Sequence, residues 1–470
     1  MTYSEFFAAA TTHRPFRFQK SFRTEPGKRI ILKAPTGLGK TEAVLVAWLH
    51  RCAAERDSTP RRLIWCLPGR ALTEQVARGA EKCVKRLASV GLIGRVPVYR
   101  LLGGSEDNKV TIRPDETAIL VGTQDILLSR ALNRGYARKP FRWPIDFALL
   151  NQDCFWVLDE VQLLGDGLAT STQLAAFRDG FGVFGPAESC WISATFDPKW
   201  LRTVDFDGDV HVIEPDAEDL KDEIVRKRVH AEKLVAQAPA ACRLPGGAAA
   251  FVVAEHRAGT LSLVIANSVR RAVEIRRELE KITTADVRLL HSRFRAADRK
   301  EHVDAVLGNL PAAGRIVVST QVIEAGIDLD ASLMLSDLAP YASMVQRFGR
   351  VNRYGEQSGC RIYWVDRPLA AKRKDWAEGL ELKVKEREEV CFPYGVEECE
   401  ESARILRGLT SASPADLPKL DSAPAPWTHV LRRADLLDLF DTSTDLGGNE
   451  IDISRFVRSD VPSRTGGHEQ

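Results

Sequence analysis

Two short stretches carry side chains that together suit phosphate chemistry. The first is Ala34-Pro35-Thr36-Gly37-Leu38-Gly39-Lys40-Thr41. Its glycines let successive backbone N–H groups converge on an anion. Lys40 can reach the outer phosphates of a nucleoside triphosphate, and the Thr41 hydroxyl can bind Mg²⁺. The usual pattern has glycine where Ala34 stands, and a glycine-rich turn before a surface helix is the plain alternative. The second stretch is Phe155-Trp156-Val157-Leu158-Asp159-Glu160. An apolar run ending in two carboxylates puts Asp159 where it can hold Mg²⁺ through water. Glu160 would orient or deprotonate an attacking water. A strand ending in a charged turn looks the same in isolation; both stretches in one chain favour ATP hydrolysis with Mg²⁺.

Other polar residues fit around these two. Gln19, in Pro15-Phe16-Arg17-Phe18-Gln19, carries one donor and one acceptor and can read an adenine edge, although a glutamine beside phenylalanine is more often a surface residue. Ser193 and Thr195, in Ser193-Ala194-Thr195, follow a further apolar run and can link a phosphate site to a nucleic-acid groove; turn residues are the alternative. Arg350 and Arg353 sit at i and i+3 in Gln346-Arg347-Phe348-Gly349-Arg350-Val351-Asn352-Arg353. One helical turn would aim both the same way, as arginine fingers on a γ-phosphate. A solvated basic helix end is the competing reading.

The elements that must position these groups alternate. Ile30–Leu32, Leu63–Leu67, Val96–Leu102, Ala118–Val121, Phe155–Leu158 and Ser189–Ser193 read as strands, with helical stretches such as Ala43–Leu49 and Ala71–Leu87 between them. A second series follows: Leu261–Ala266, Val287–Leu290, Arg315–Val318, Leu333–Leu335 and Arg361–Val365. Such alternation predicts α/β architecture with parallel sheets and ligands at the carboxyl ends of the strands. We divide the chain into 1–215, 216–370 and a mainly helical accessory region at 371–470 with a Ser/Ala/Pro-rich linker near 410–427. Asp205–Glu223 and Ala236–Ala250 read as the bridge between the two series. The second series has no phosphate loop of its own.

Composition narrows the class. The 470 residues are 44% hydrophobic and 28% charged, ordinary for a globular chain, and the formal net charge is only +2. Nucleic-acid contact would therefore depend on local grooves. No apolar run is long enough for a membrane span, and Met1–Lys20 lacks the core of a signal peptide. Nine cysteines without a CxxC pair argue for reduced thiols and a cytoplasmic location.

In order along the chain, these elements resemble the superfamily 2 helicases. Within them the sequence looks most similar to the CRISPR-associated helicase of type I interference systems. That resemblance rests on APTGLGKTEA from Ala34, LPGRALTEQ from Leu67, VGTQDILLSRALNRGYA from Val121, STQVIEAGIDLD from Ser319, LAPYASMVQRFGRVNR from Leu338 and LRRADLLDLFDT from Leu431. It implies two tandem RecA-like domains and ATP-driven translocation along single-stranded DNA with unwinding of duplex. It also implies recruitment by an RNA-guided surveillance complex. By position it implies that Gly326 and Asp328 touch ribose or phosphate and that Gln346 helps position water. Arg70, Thr123, Gln124, Asn267 and Thr320 would lie along the nucleic acid.

Two departures matter. After Asp159-Glu160 the family often has Ala-His; here Val161-Gln162 stands, and Gln162 can hydrogen-bond to Ser193 or Thr195 but cannot titrate. The family's HD nuclease needs an adjacent His-Asp pair, and none of the nine histidines here is followed by aspartate. Nuclease chemistry is expected on a separate protein or in sequence outside this chain. A general DNA or RNA helicase, and a nucleotide-gated clamp that binds without unwinding, remain the alternatives.

Overall fold

The computed structural model describes residues 1–25, 27–102, 113–136, 138–194, 196–207, 209–291, 293–324, 327–366, 391–418, 429–441 and 451–458. It divides into two units: Met1–Pro35, Gly39–Leu220 and Lys419–Gln470 form one, and Lys221–Pro418 the other, to which Thr36–Leu38 is assigned.

In the first unit the apolar runs form a parallel sheet: β1 (Arg29–Lys33), β2 (Arg62–Leu67), β3 (Val98–Leu101), β4 (Ala118–Thr123), β5 (Cys154–Asp159), β6 (Ala187–Ser193) and β7 (His211–Ile213). Their order is β3-β4-β2-β5-β6-β1-β7. β2, β4 and β5 are buried along their whole length, as central parallel strands covered on both faces must be. The register aligns the functional ends, pairing Lys33 with Ser193, Leu67 with Thr123 and Asp159 with Ile192. Four tryptophans fill this core, and each indole N–H has a partner: Trp48 on Pro60 O, Trp65 on Asp159, Trp156 on Leu150 O and Trp191 on Ser171.

The second unit repeats the plan with β8 (Leu234–Gln237), β9 (Leu261–Ile265), β10 (Asp286–Leu290), β11 (Arg315–Ser319), β12 (Leu333–Asp337) and β13 (Arg361–Val365), ordered β10-β11-β9-β12-β13-β8 and parallel throughout. The stretch that reads as a bridge is largely built into the two units. β7 and β8 close sheet edges, and Pro245–Glu255 is a helix that buries Ala248, Ala249 and Val252. Ala/Gly-rich composition looks like a linker, but small side chains also let a helix lie close to a sheet.

The expected accessory region divides as well. Residues as far as Pro418 group with the second unit, whereas the tail from Lys419 groups with the first. Leu431, Leu436, Leu439, Ile453, Phe456 and Val457 are buried in the same core as Leu127, Leu128 and Leu168. Buried donors fix the tail backbone: Gln173 Nε2 on Leu431 O, Asn133 Nδ2 on Leu439 O and Thr170 Oγ1 on Phe456 O. A Cβ at position 167 would lie 2.9 Å from Val457 O, so glycine is what lets the tail approach the helix Asp166–Phe181.

Phe456→Ala should destabilise the first unit by about 3 kcal/mol or more, as for other large-to-small core changes. Calorimetry checks this; a shift of the melting transition within error would mean the tail is not part of that core. Gly167→Leu should release the tail and speed tryptic cutting at Arg455 and Arg458.

Candidate nucleotide site and neighbouring loops

The loop after β1 is shaped by two glycines in the left-handed region, Gly37 at φ +87° and Gly39 at φ +74°. L side chains rarely adopt that backbone. Lys40 opens the helix Lys40–Ala54, so the loop ends at a helix N-terminus, where N–H groups and the dipole favour anions. Lys40 Nζ donates to the loop's own carbonyls, Ala34 O at 2.8 Å and Pro35 O at 3.2 Å. Gln19 is buried and has both ends of its amide engaged: Oε1 accepts from Phe16 N at 2.8 Å and Nε2 donates to Gly39 O at 2.9 Å. It therefore ties the helix Arg17–Thr24 to the loop.

Asp159 ends β5, buried, with Trp65 Nε1 at 3.2 Å from Oδ2 and Glu160 N at 3.0 Å from Oδ1. Burial pushes its carboxyl up to about 7; Glu160 adds to the rise and Lys40 opposes it. A divalent cation held by Asp159 and Thr41 would restore the ionised form. Glu160 takes φ +53°, which turns the chain sharply after the strand. A relay follows: Gln162 Nε2 donates to Glu160 Oε2 at 2.7 Å, and Ser193 Oγ donates to Gln162 Oε1 at 2.8 Å. Ser193 O also accepts from Ala34 N at 3.2 Å, which closes the circle back to the loop. Thr195 lies outside the described residues.

Other expected contacts are arranged differently. Arg70 begins the helix Arg70–Ser89 and is exposed. Thr123 is buried at the end of β4. Gln124, expected along the nucleic acid, is instead buried, its Nε2 donating to Leu164 O at 3.0 Å and Val457 O at 2.6 Å.

In the second unit, Asn267 and Thr320 are buried, with Asn267 Nδ2 on Leu338 O at 2.6 Å. Arg350 and Arg353 do not share a helical turn, because the helix Tyr341–Phe348 ends before them. Arg350 Nη2 donates to Glu324 O at 2.7 Å, and Arg353 pairs with Asp328 at 2.9 Å. Asp328 also accepts from Tyr354. Gln346 is buried on that helix; Gly326 lies outside the described residues. Lys233 Nζ donates to Phe348 O at the helix end, and burial, with Arg353 adding, pushes its ammonium down to about 8.

Sequence reasoning missed the residue on which this region is built. Arg347 is fully buried and donates to Glu324 Oε1 at 2.7 Å, Ser336 Oγ and Asp337 O at 2.8 Å, and Tyr394 at 3.0 Å. The signal available was an arginine inside a short helix whose residues from Ser343 to Phe348 are all buried. Trp65 was missed because an indole inside an apolar strand looks like core alone. Among the described residues no group of three or more His, Cys, Asp or Glu is arranged to hold a metal, and no helix is long and apolar enough to cross a membrane.

Comparison with known proteins places these elements. The family described as DEAD/DEAH box helicase matches residues 18–204, and that described as CRISPR-associated nuclease/helicase Cas3, C-terminal, matches residues 258–356. The chain is 27% identical over 347 residues to the CRISPR-associated nuclease/helicase Cas3 of Methanothermobacter thermautotrophicus, covering 69% of this chain and 38% of that one. It is 25% identical over 347 residues to the CRISPR-associated helicase Cas3 of Thermoproteus tenax, covering 71% and 55%. It thus spans about half or less of these relatives' length. The structure of T. fusca Cas3 with AMPPNP superposes with a TM-score of 0.60 at 18% identity, over 87% of this chain and 52% of that one. The fold is that of tandem RecA-like helicases.

Asp159 gives a pH test. Below about pH 4 the carboxyl is protonated in folded and unfolded chains alike. Between there and 7 the unfolded chain ionises first, so the nucleotide-free protein loses stability as pH rises through that window. Asp159→Asn should raise the thermal midpoint at pH 8 and leave it unchanged near pH 4. Equal effects at both values would contradict the burial effect. Arg347→Ala leaves Glu324 buried and uncompensated and should cost about 3–5 kcal/mol in denaturant unfolding of the second unit.

Proposed function

We propose that this chain, which carries a DEAD/DEAH box helicase domain and a Cas3-like C-terminal helicase domain, hydrolyses ATP to move along single-stranded DNA and unwind duplex. Its setting is type I CRISPR interference, with an RNA-guided surveillance complex as the partner that delivers the displaced DNA. The observation that carries this is the hydrogen-bonded run Glu160–Gln162–Ser193, which begins at the residue suited to activating water and returns to the Lys40 loop.

Lys40 would exchange the carbonyls of Ala34 and Pro35 for the outer phosphates. Mg²⁺, held by Thr41 and Asp159, would neutralise charge on the phosphates when bound. Glu160 orients the attacking water. Arg350 and Arg353 would leave Glu324 O and Asp328 to offset charge on the γ-phosphoryl. Gln162 links Glu160 to Ser193 by donating to the carboxylate and accepting from the hydroxyl. The amide itself does not titrate in the working range, unlike a histidine at this place. Nuclease chemistry is not part of the proposal for these residues.

Lys40→Ala should abolish ATP turnover. Arg350→Ala or Arg353→Ala should lower kcat by roughly a thousandfold, the scale of a lost arginine finger. Stimulation of ATPase by single-stranded DNA but not RNA, followed by displacement of a labelled duplex, tests the assignment. DNA-stimulated hydrolysis without displacement would favour a nucleotide-gated clamp, and stimulation by RNA alone an RNA helicase. Turnover that survives Lys40→Ala would refute the site itself.

A further inference from the structure

The tail does more than cover an apolar face. Arg458 follows directly on Phe456 and Val457, which are buried. The carbonyl of Val457 is held by Gln124 Nε2 at 2.6 Å, and that of Phe456 by Thr170. The backbone that leads to Arg458 is therefore held at the two residues before it. From there Nη2 reaches Pro68 O at 3.3 Å and Asp125 Oδ2 at 3.1 Å. Pro68 follows β2 and Asp125 follows β4, which are neighbours with Leu67 opposite Thr123. Arg458 thus bridges the loop after β2 and the first turn of the helix Gln124–Ala131 after β4, at the carboxyl ends of parallel strands, the edge where such sheets bind ligands. One nitrogen makes both contacts, while the side chain remains 54% exposed. A guanidinium has five N–H donors in a planar fork, so the others suit a phosphate.

The surroundings favour an anion over a purely structural brace. Arg70, at the start of the helix after β2, and Arg455, one turn before Arg458, are both exposed. Among the described residues, Asp125 pairs with Arg458, and Asp452 lies on the same tail segment. Asp452 accepts from Ser454 N and Oγ, both at 2.8 Å, and so has a local partner. Asp125 is the group that competes for Arg458. An exposed ion pair of this kind contributes little to stability, typically below about 1 kcal/mol, and is readily exchanged.

We propose that Arg458 is a backbone-phosphate contact for the single strand, held in register by Asp125 until nucleic acid arrives. The phosphate replaces the Asp125 carboxylate, and the tail becomes part of the surface along which the strand runs. This rests on the strand-tracking reading given above and adds to it a binding residue from the far end of the chain. It also explains why Gln124 is not itself available to the strand: its amide is what fixes the tail.

The two partners of the ion pair should respond in opposite directions. Binding of a fluorescent oligo-dT to the full chain is measured over a salt series, with Arg458→Ala, Arg458→Lys and Asp125→Ala beside the unaltered protein. Each phosphate contact contributes about 0.7 to the slope of log K against log salt for single strands. Arg458→Ala should weaken binding severalfold and lower the slope by about that amount; Arg458→Lys should restore the slope. Asp125→Ala, which removes the competitor, should tighten binding. If Arg458 is only a brace, both alanine variants lower the thermal midpoint together and leave the salt slope unchanged, which overturns the proposal. Should Arg458→Ala not fold, the lysine and Asp125 variants still decide, since loss of affinity in Asp125→Ala is incompatible with competition. An unaltered protein that binds no oligonucleotide at low salt would overturn the strand-tracking reading and this inference with it. Binding with an unchanged slope in Arg458→Ala overturns the inference alone.

Discussion

A carboxylate buried at the end of an apolar strand sets the conditions for the first unit. Asp159 could be placed in the open, where it would ionise at no cost. Here it is covered, with the Trp65 indole as one of its few donors, and burial holds its proton on to about neutral pH. Such a group is costly without a cation and strongly attracted to one. The same strand end brings Glu160 into a left-handed turn, and from that turn the Gln162–Ser193 hydrogen bonds run back to Ala34. The buried carboxylate, the left-handed turn and the hydrogen bonds back to the loop all depend on how β5 stops.

The second unit is organised by the opposite charge. Arg347 is buried without access to water, and every direction of its fork meets an oxygen: Glu324, Ser336, Asp337 and Tyr394. Its neighbour Arg350 uses the backbone of the same glutamate. One acidic residue thus serves a structural arginine through its side chain and a candidate catalytic arginine through its carbonyl. The turn after Phe348 is rigid where it is anchored, while Arg353 ends on the partly exposed Asp328 and keeps a replaceable partner. The two arginines thus start from different partners, one a buried carbonyl and the other a half-exposed carboxylate.

What was legible in the sequence follows from range. Buried parallel strands are continuous apolar runs, so β1, β2, β4, β5, β9 and β11 stood out within a few residues of their ends. The Lys40 loop is also local, since glycine spacing and the following helix are encoded in eight residues. Arg350 and Arg353 were recognisable by type but not by geometry, because helix ending at Phe348 depends on partners in other strands and loops. The burial of Gln124 was not legible for the same reason. Nothing near it indicates that its amide is taken by Val457, 333 residues away. The Ala/Gly stretch before β9 was ambiguous because small residues serve both linkers and close-packed helices, and only the neighbouring sheet decides between them.

The return of the tail to the first unit has a consequence for how the protein is made. The ribosome releases Leu431 to Val457 only after all of the second unit, yet these residues complete a core begun by β1 to β6. Until they emerge, the groove around Leu127, Leu128 and Leu168 has no native cover, and the amide of Gln124 has no carbonyl of Val457 to bond. The first half of the chain therefore waits, partly formed, while the second half is synthesised and folds as a unit. Whatever depends on this part of the core is complete only after the second unit has been made, so fragments that stop before Leu431 lack it even when their nucleotide loop is already in place.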